Sequence, residues 1–298
     1  MSSDPEPTAP RTSSAPADLA VVVVNYNAGD LILRCLRSAF ESAGDARLET
    51  VVVDNASRDR SEELVAGAYP DVQLIRNRDN RGFASAANQG IRATAAPFVL
   101  LLNPDAEIVA GTLGGLLKVA RDHPRAAAIG PLIREPGGRI YPSARKVPRA
   151  GEALGHLFLG LIRPNNRWSR AYTMADWDRR SERSVDWVSG SCLLLRRAVL
   201  DEVGLLDEAY FFGVEEVDLC TRLRRAGWDV LFTPEVEVLH QVGVSRGRSR
   251  RITLEHAKGI YRYFVKFRSS GWRVVLRPFV WVALRMWAAL LSWRRGDR

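Results

Sequence analysis

The stretch Leu19-Ala20-Val21-Val22-Val23-Val24-Asn25-Tyr26-Asn27 is an apolar, mostly β-branched run that stops abruptly in polar residues. Such a run suits a strand buried on both faces, because neither face alternates with solvent. The period then changes. Leu31, Cys35, Leu36 and Phe40 recur at helical spacing behind Asp30, which reads as the helix N-cap. The alternation continues with a strand at 48–53 closing on Asp54-Asn55, a helix at Ser61–Ala68 and a strand at 72–75. A helix at 83–93 and a strand at Phe98–Leu102, closing on Asn103-Pro104-Asp105, complete it. Strands and helices alternating with short connections predict an α/β fold with a mostly parallel sheet between helices. Ligands of such sheets collect at the carboxyl ends of the strands. Polar residues crowd that edge here.

Working outward, residues 1–18 are rich in Ser, Pro, Ala and Thr without periodicity, which predicts a disordered leader. A single domain is expected over 19–245, with a front half at 19–110 and a back half at 111–245. The back half is less regular. A basic loop at 137–149 precedes an apolar helix at Gly151–Ile162, and 185–197 runs from a strand through Gly190 into an apolar segment. Glu215–Arg225 predicts a helix with Val217, Leu219, Cys220 and Leu223 inside, followed by short strands at 230–232 and 236–240. At 298 residues, 46% hydrophobic and 26% charged, the chain is neither wholly disordered nor collagen-like. Its three cysteines form no CxxC pair, which speaks against a disulfide scaffold or zinc ribbon and for a reducing compartment. No basic segment followed by an apolar run opens the chain, so a cytoplasmic location is expected.

The formal net charge of +9 is unevenly placed. Residues 246–298 hold 14 Lys and Arg against 2 Asp and Glu, while the remainder carries 29 basic and 32 acidic residues. A basic tail beside apolar residues points to an anionic membrane surface. Nucleic acid is not an expected partner, since no recognition-helix or aromatic nucleic-acid motif accompanies the charge.

Neither GxGxxG nor GxxxxGK[ST] follows the first strand, which argues against a dinucleotide oxidoreductase and a P-loop NTPase. Four other elements occur in order: Val52-Val53-Asp54-Asn55-Ala56-Ser57; Asn80-Arg81-Gly82-Phe83 leading to Asn88; Leu101-Leu102-Asn103-Pro104-Asp105; and Phe212-Gly213-Val214-Glu215-Glu216-Val217-Asp218, with His240 beyond. Together they resemble the inverting GT-A glycosyltransferases that use nucleotide-sugar donors. Tyr141-Pro142-Ser143-Ala144-Arg145, Val185-Asp186-Trp187-Val188-Ser189-Gly190 and Arg222-Leu223-Arg224-Arg225-Ala226-Gly227-Trp228 extend the resemblance to WbbL-like rhamnosyltransferases over about residues 19–265.

The resemblance implies roles residue by residue. Asn27, Asp54, Asn80, Arg81, Gly82, Asn88 and Asn103 fall on the donor side. Asp54 could accept the imide N–H of a uracil or thymine ring, or could simply serve its turn. The family's Asp-x-Asp metal motif reads Asn103-Pro104-Asp105 here, one carboxylate short. Asp105 and His240 would then bind Mn2+ or Mg2+ beside the nucleotide diphosphate. A His after a strand is otherwise a structural residue. The family's Glu-Asp-x-Asp pattern reads Glu215-Glu216-Val217-Asp218, which makes Glu216 the general base and puts Glu215 on the acceptor side. Acidic residues at a helix start also compensate the dipole without reacting. Asp218 would orient its neighbours. Trp187, Ser189 and Gly190 match the acceptor loop, where an indole can stack on a sugar; a buried core Trp is the alternative.

The activity that the resemblance implies is metal-dependent, inverting transfer of L-rhamnose from a dTDP-sugar to a polyprenyl-diphosphate-linked GlcNAc, in cell-envelope polysaccharide assembly. Another donor or acceptor, or a non-catalytic glycan-binding domain, remain the other readings. Arg273, Arg277 and Arg285 interrupt the apolar stretch near the C-terminus, which predicts a helix lying peripherally on the cytoplasmic membrane face, not spanning it. Packing on the domain, or on a second subunit in a homo-oligomer, is the other use for it.

Overall fold

Every residue of β1 (Leu19–Asn25) is buried, and its two faces are covered by different helical layers. A computed structural model describes residues 16–148, 150–241 and 250–295 of the chain. After β1 come α1 (Leu31–Glu41), β2 (Leu48–Asp54), α2 (Ser61–Ala68), β3 (Gln73–Arg76), α3 (Phe83–Arg92) and β4 (Phe98–Leu102). Next are β5 (Ala106–Ile108), α4 (Thr112–Asp122), β6 (Ala126–Arg134), β7 (Ile140–Tyr141) and β8 (Ala144–Arg145). The helical segment α5 (Ala150–Leu154), a π turn at Gly155–Leu159, α6 (Gly160–Ile162) and α7 (Arg167–Thr173) come after them. The chain continues through β9 (Arg183–Ser184), β10 (Trp187–Val188), β11 (Cys192–Arg196), α8 (Arg197–Val203), α9 (Glu215–Arg225) and β12 (Asp229–His240). It ends in α10 (Arg250–Phe267), a 3-10 turn at Gly271–Leu276 and α11 (Arg277–Arg295).

The main sheet runs β3-β2-β1-β4-β11-β6-β12-β5. Its front strands and the β6–β12 pair are parallel, while β11 enters antiparallel between β4 and β6. The sheet is thus mixed, with the expected parallel front half. Ala20, Val22 and Val24 pack toward Ala84, Ala87 and Ile91 of α3 and Leu219 and Leu223 of α9. Leu19, Val21 and Val23 pack toward Ile32 and Leu36 of α1 and Leu113 and Leu116 of α4. Alternate residues of one strand serve both layers, which is why the run is continuous.

Several expectations need correcting. Asp30 occupies the N-cap position of α1 with helical dihedrals and makes no side-chain cap bond. The strands expected at 230–232 and 236–240 are one strand, β12, bent by a register irregularity between Thr233 and Glu237. The helix expected over Gly151–Ile162 is present, with a π turn at Gly155–Leu159 inside it. The leader through residue 15, and the domain boundary expected at 245, lie outside the described residues. All three cysteines are free and buried, and burial pushes Cys192 and Cys220 up to about 12.

The C-terminal helices dock on the domain. Lys266 of α10 bonds Asp218 at 2.6 Å and Asp207 at 2.8 Å, and Tyr263 meets Thr221 at 2.8 Å. Leu284, Trp287 and Ala288 of α11 pack on Ala257 of α10, with Leu157, Phe158 and Leu161 against the same cluster. Despite its arginines, Gly271–Trp293 is long and apolar enough to cross a membrane by length and composition, contrary to the run-length expectation. Widely spaced arginines leave a window of low charge between them.

Candidate active site

The site is assembled where β1, β2 and β4 end. Asn25 and Asp54 sit opposite each other in register, and the Asn25 amide donates to Asp54 Oδ1 at 2.7 Å and Ser61 Oγ at 2.7 Å. Asp54 Oδ2 accepts the Ser57 N–H at 3.0 Å. Asp54 is therefore buried and already hydrogen-bonded, in a rigid polar floor beneath the edge. Asn27, at φ 52°, takes the Arg58 N–H on its side chain at 2.7 Å, which latches the first loop to the second. Asp59 receives the Gly29 N–H at 2.6 Å. Burial pushes its carboxyl up, but this bond and those from Ser61 outweigh it and hold it below its ordinary value.

Asn55 shapes the next loop. Its amide donates to Asn80 Oδ1 at 3.0 Å and the Gly82 carbonyl at 3.1 Å, while its oxygen takes the Arg81 N–H at 3.1 Å. The Arg81 side chain stays exposed. Gly82 adopts φ +82°, and a Cβ there would stand 2.5 Å from the Phe211 carbonyl oxygen. That carbonyl accepts the Phe83 N–H at 2.9 Å, so the start of α3 is tied to the loop preceding α9. Asn88 is spent elsewhere: its amide donates to the Leu206 carbonyl at 2.9 Å and Glu208 at 3.0 Å, and accepts the Leu206 N–H at 3.2 Å. Its bond holds the Glu208 carboxyl below its usual range.

Beyond β4, the pairing of β5 with β12 places His240 opposite Ala106. His240 Nε2 then lies 3.0 Å from Asp105 Oδ1 and 3.4 Å from the Asn103 amide. Asp105 and His240 are both buried, and His240 Nδ1 has no hydrogen-bond partner among the described residues. No group of three or more His, Cys, Asp or Glu suited to a metal occurs among the described residues. The pair itself fits a cation that takes its other ligands elsewhere. Two donors at right angles around an octahedral ion, each about 2.1 Å away, stand roughly 3.0 Å apart.

The acceptor-side residues adjoin this corner. The Asn103 N–H donates to the Ser191 carbonyl at 2.9 Å, and Ser189 and Ser191 share a hydroxyl contact of 3.0 Å. Gly190 faces α9: a Cβ on it would lie 3.7 Å from Glu216 Cβ and 4.0 Å from its carboxyl carbon. Glu215 is buried and Glu216 half-buried, both following Val214, a β-branched residue at φ 83°. Such a conformation is costly and marks sites over-determined by their surroundings. Asp218 bonds Arg222 at 2.7 Å, Tyr210 at 3.1 Å and Lys266, so it orients its neighbours as expected. Trp187 is buried, its ring beneath the Arg145 guanidinium at 5.0 Å, and offers no open face for a sugar.

The structure thus brings Asn103, Asp105, His240, Ser189, Gly190 and Glu216 to one corner and Asn27, Asp54, Asn80, Arg81 and Gly82 to the adjoining loops. Asn88 stands apart as the clamp on 206–208. Sequence reasoning passed over Asn55, Ser57 and Ser61 as site-builders. Their signal is a polar cluster directly after an apolar strand.

The mixed α/β sheet with helices on both faces is the GT-A fold that solved glycosyltransferases share with this chain. The Glycosyl transferase family 2 model matches residues 20–204. An N-acetylglucosaminyl-diphospho-decaprenol L-rhamnosyltransferase of Mycobacterium tuberculosis is 37% identical over 87% of this chain and 88% of its own. The rhamnosyltransferase WbbL of Escherichia coli is 23% identical over 83% and 93%. Among solved structures, a mannosyltransferase of Pyrobaculum calidifontis in complex with GDP-Man and Mn2+ aligns with a TM-score of 0.58. It is 21% identical, over 97% of this chain and 79% of that one, and shares the fold. The chain belongs to glycosyl transferase family 2.

Proposed function

We propose that this enzyme transfers L-rhamnose, with inversion, from dTDP-rhamnose to a GlcNAc carried on a polyprenyl diphosphate, at the cytoplasmic face of the membrane. The observation that carries the reading is the match to the mycobacterial rhamnosyltransferase across nearly the whole of both chains. The geometry supports it. Asp54 and the Asn25 network underlie the base, and the exposed Arg81 side chain lies by the loop nearest the donor. Asp105 and His240 would hold a divalent cation, Mn2+ or Mg2+, which offsets the charge of the departing nucleoside diphosphate.

Glu216 acts as general base, beside Gly190, where the small residue leaves room for the acceptor sugar. The acceptor hydroxyl oxygen attacks the anomeric carbon while Glu216 takes its proton. The bond from that carbon to the diphosphate oxygen breaks, and dTDP leaves with the electron pair. Ser189 and Ser191 fix the acceptor loop against Asn103, and Asn88 positions the segment leading to α9.

The test is transfer by the purified full chain from dTDP-rhamnose to a synthetic GlcNAc-diphosphate-lipid with Mn2+. Release of dTDP with formation of a rhamnosylated lipid is expected, and EDTA should abolish both. Asp105→Ala should lose Mn2+-dependent donor binding. Full activity of metal-stripped enzyme would remove the cation from the reading. Glycan binding without nucleotide release, from any donor, would make the chain a non-catalytic binding domain.

A further inference from the structure

Arg145 is a cation held among aromatic rings. No carboxylate lies within ion-pair distance of it among the described residues, although Arg224 pairs with Asp186, next to Trp187. Arg145 is half-buried and locked in place. Its Nε donates to the Pro142 carbonyl at 2.6 Å, Nη1 to the Tyr172 hydroxyl at 3.2 Å and Nη2 to the Tyr141 hydroxyl at 2.8 Å. The guanidinium sits 5.3 Å from the Tyr141 ring centroid, 5.3 Å from that of Tyr172 and 5.0 Å from that of Trp187. Removing such a group from water is costly without an anion, and these bonds engage only some of its five N–H donors. Its planar fork matches phosphate oxygens.

Position supplies the rest. Arg145 is paired in register with Trp187, and the Ser189 N–H bonds the Ser143 carbonyl at 2.8 Å, so the cage is continuous with the loop that carries Gly190 to Glu216. On its other side Tyr172 stacks on His156 at 4.4 Å, within the π turn. The next residues of that turn, Leu157 and Phe158, pack into the apolar layer of α10 and α11. Burial and the Arg145 cation hold the His156 imidazole below its ordinary value. Followed contact by contact, Glu216 leads through the Gly190 loop to the caged cation, and from there through Tyr172 and His156 to the apolar helices. A lipid-linked acceptor has the same order: sugar, diphosphate, hydrocarbon.

We propose that Arg145, held by Tyr141, Tyr172 and Trp187, binds the diphosphate of the acceptor. This rests on the function proposed above. The test compares two synthetic acceptors, GlcNAc-diphosphate-farnesyl and GlcNAc-farnesyl without phosphate, with wild type, Arg145→Gln and Arg145→Lys full-length enzyme. Arg145→Gln should raise KM for the diphosphate acceptor tenfold or more, as expected for a charge-assisted contact. The ratio of kcat/KM between the two acceptors should fall by the same factor, and dTDP affinity by calorimetry should hold. Equal losses on both acceptors, or a change in donor affinity instead, would overturn the assignment. If Arg145→Gln does not fold, Arg145→Lys keeps the charge without the fork, and a KM rise of about threefold or more is expected of it. Farnesyl diphosphate binding separates the two readings. If wild type transfers to neither acceptor, the proposed function fails. In that case a tenfold weaker farnesyl diphosphate affinity in the folded variant still sustains the cage, and an unchanged affinity removes it.

Discussion

At the scale of single residues, the helix start sets Glu216, the proposed base, beside Glu215, a neighbour of the same chemistry. Glu215 is buried and Glu216 half-buried, with the Glu216 side chain alongside Gly190, on the loop where an acceptor would sit. Glu216→Gln removes the proton acceptor and keeps shape. It should lower kcat by about 10²-fold or more while dTDP affinity, read by calorimetry, stays within about twofold. A near-wild-type Glu216→Gln alongside a dead Glu215→Gln would move the base by one residue. The sequence motif made both glutamates visible. The motif's register assigned the base to Glu216 by resemblance; the contact of that side chain with Gly190 comes from the fold. The partners of Trp187 and Asn88 were not legible for a related reason. A side chain's type is legible, but its partners, Arg145 for one and the 206–208 segment for the other, come from strands and loops distant in sequence.

At the scale of elements, the front half was readable nearly to the residue. Strands buried on both faces write continuous apolar runs, so β4 has the expected bounds, Phe98–Leu102; in the back half, helix α9 also has them, at Glu215–Arg225. β6 was not readable. Ala126-Ala127-Ala128-Ile129-Gly130-Pro131 has little intrinsic strand preference, and it is a strand because β11 and β12 pair on its two sides. Gly130 is needed there, since a Cβ would lie 2.7 Å from Val188. Gly82 gives this kind of constraint a measurement. Gly82 at φ +82° would put a Cβ 2.5 Å from the Phe211 carbonyl, whereas Gly138 at φ +84° has nothing within 4 Å. Gly82, at φ +82° and ψ 167°, also lies in backbone space that is almost reserved for glycine, so conformation and contact both penalise a Cβ there. Gly82→Ala should therefore destabilise by at least about 1 kcal/mol more than Gly138→Ala in urea melts, and should depress activity by displacing the loop before α9. Equal losses would mean that the α3–Phe211 contact yields freely.

At the scale of the whole molecule, the charge asymmetry and the helix packing together define an orientation. One face of α11 is held by α10 through Leu284, Trp287 and Ala288. The opposite face exposes Phe279, Val282, Met286, Leu290 and Trp293, at intervals of three and four residues, with Trp272 and Val275 beside them. This is an amphipathic stripe on an already docked helix, and it belongs to the region where 14 basic residues outnumber 2 acidic ones. If the acceptor is the proposed polyprenyl-linked sugar, it stays in its bilayer and the transferase has to come to the surface. Basic residues near an anionic leaflet add roughly 1 kcal/mol each, and apolar side chains that leave water add about 25 cal/mol per Å². Full-length protein should therefore sediment with liposomes containing anionic lipid at low salt and be partly released at high salt, where the Debye length shrinks. Phe279→Glu with Met286→Glu alters only exposed positions, so the fold should survive and binding should be lost at both salts. Its transfer to long lipid acceptors should fall while transfer to short soluble analogues persists. If full-length protein stays in the supernatant at both salts and runs as a dimer that the double substitution dissociates, the stripe is a subunit contact and the acceptor reaches the site by another route.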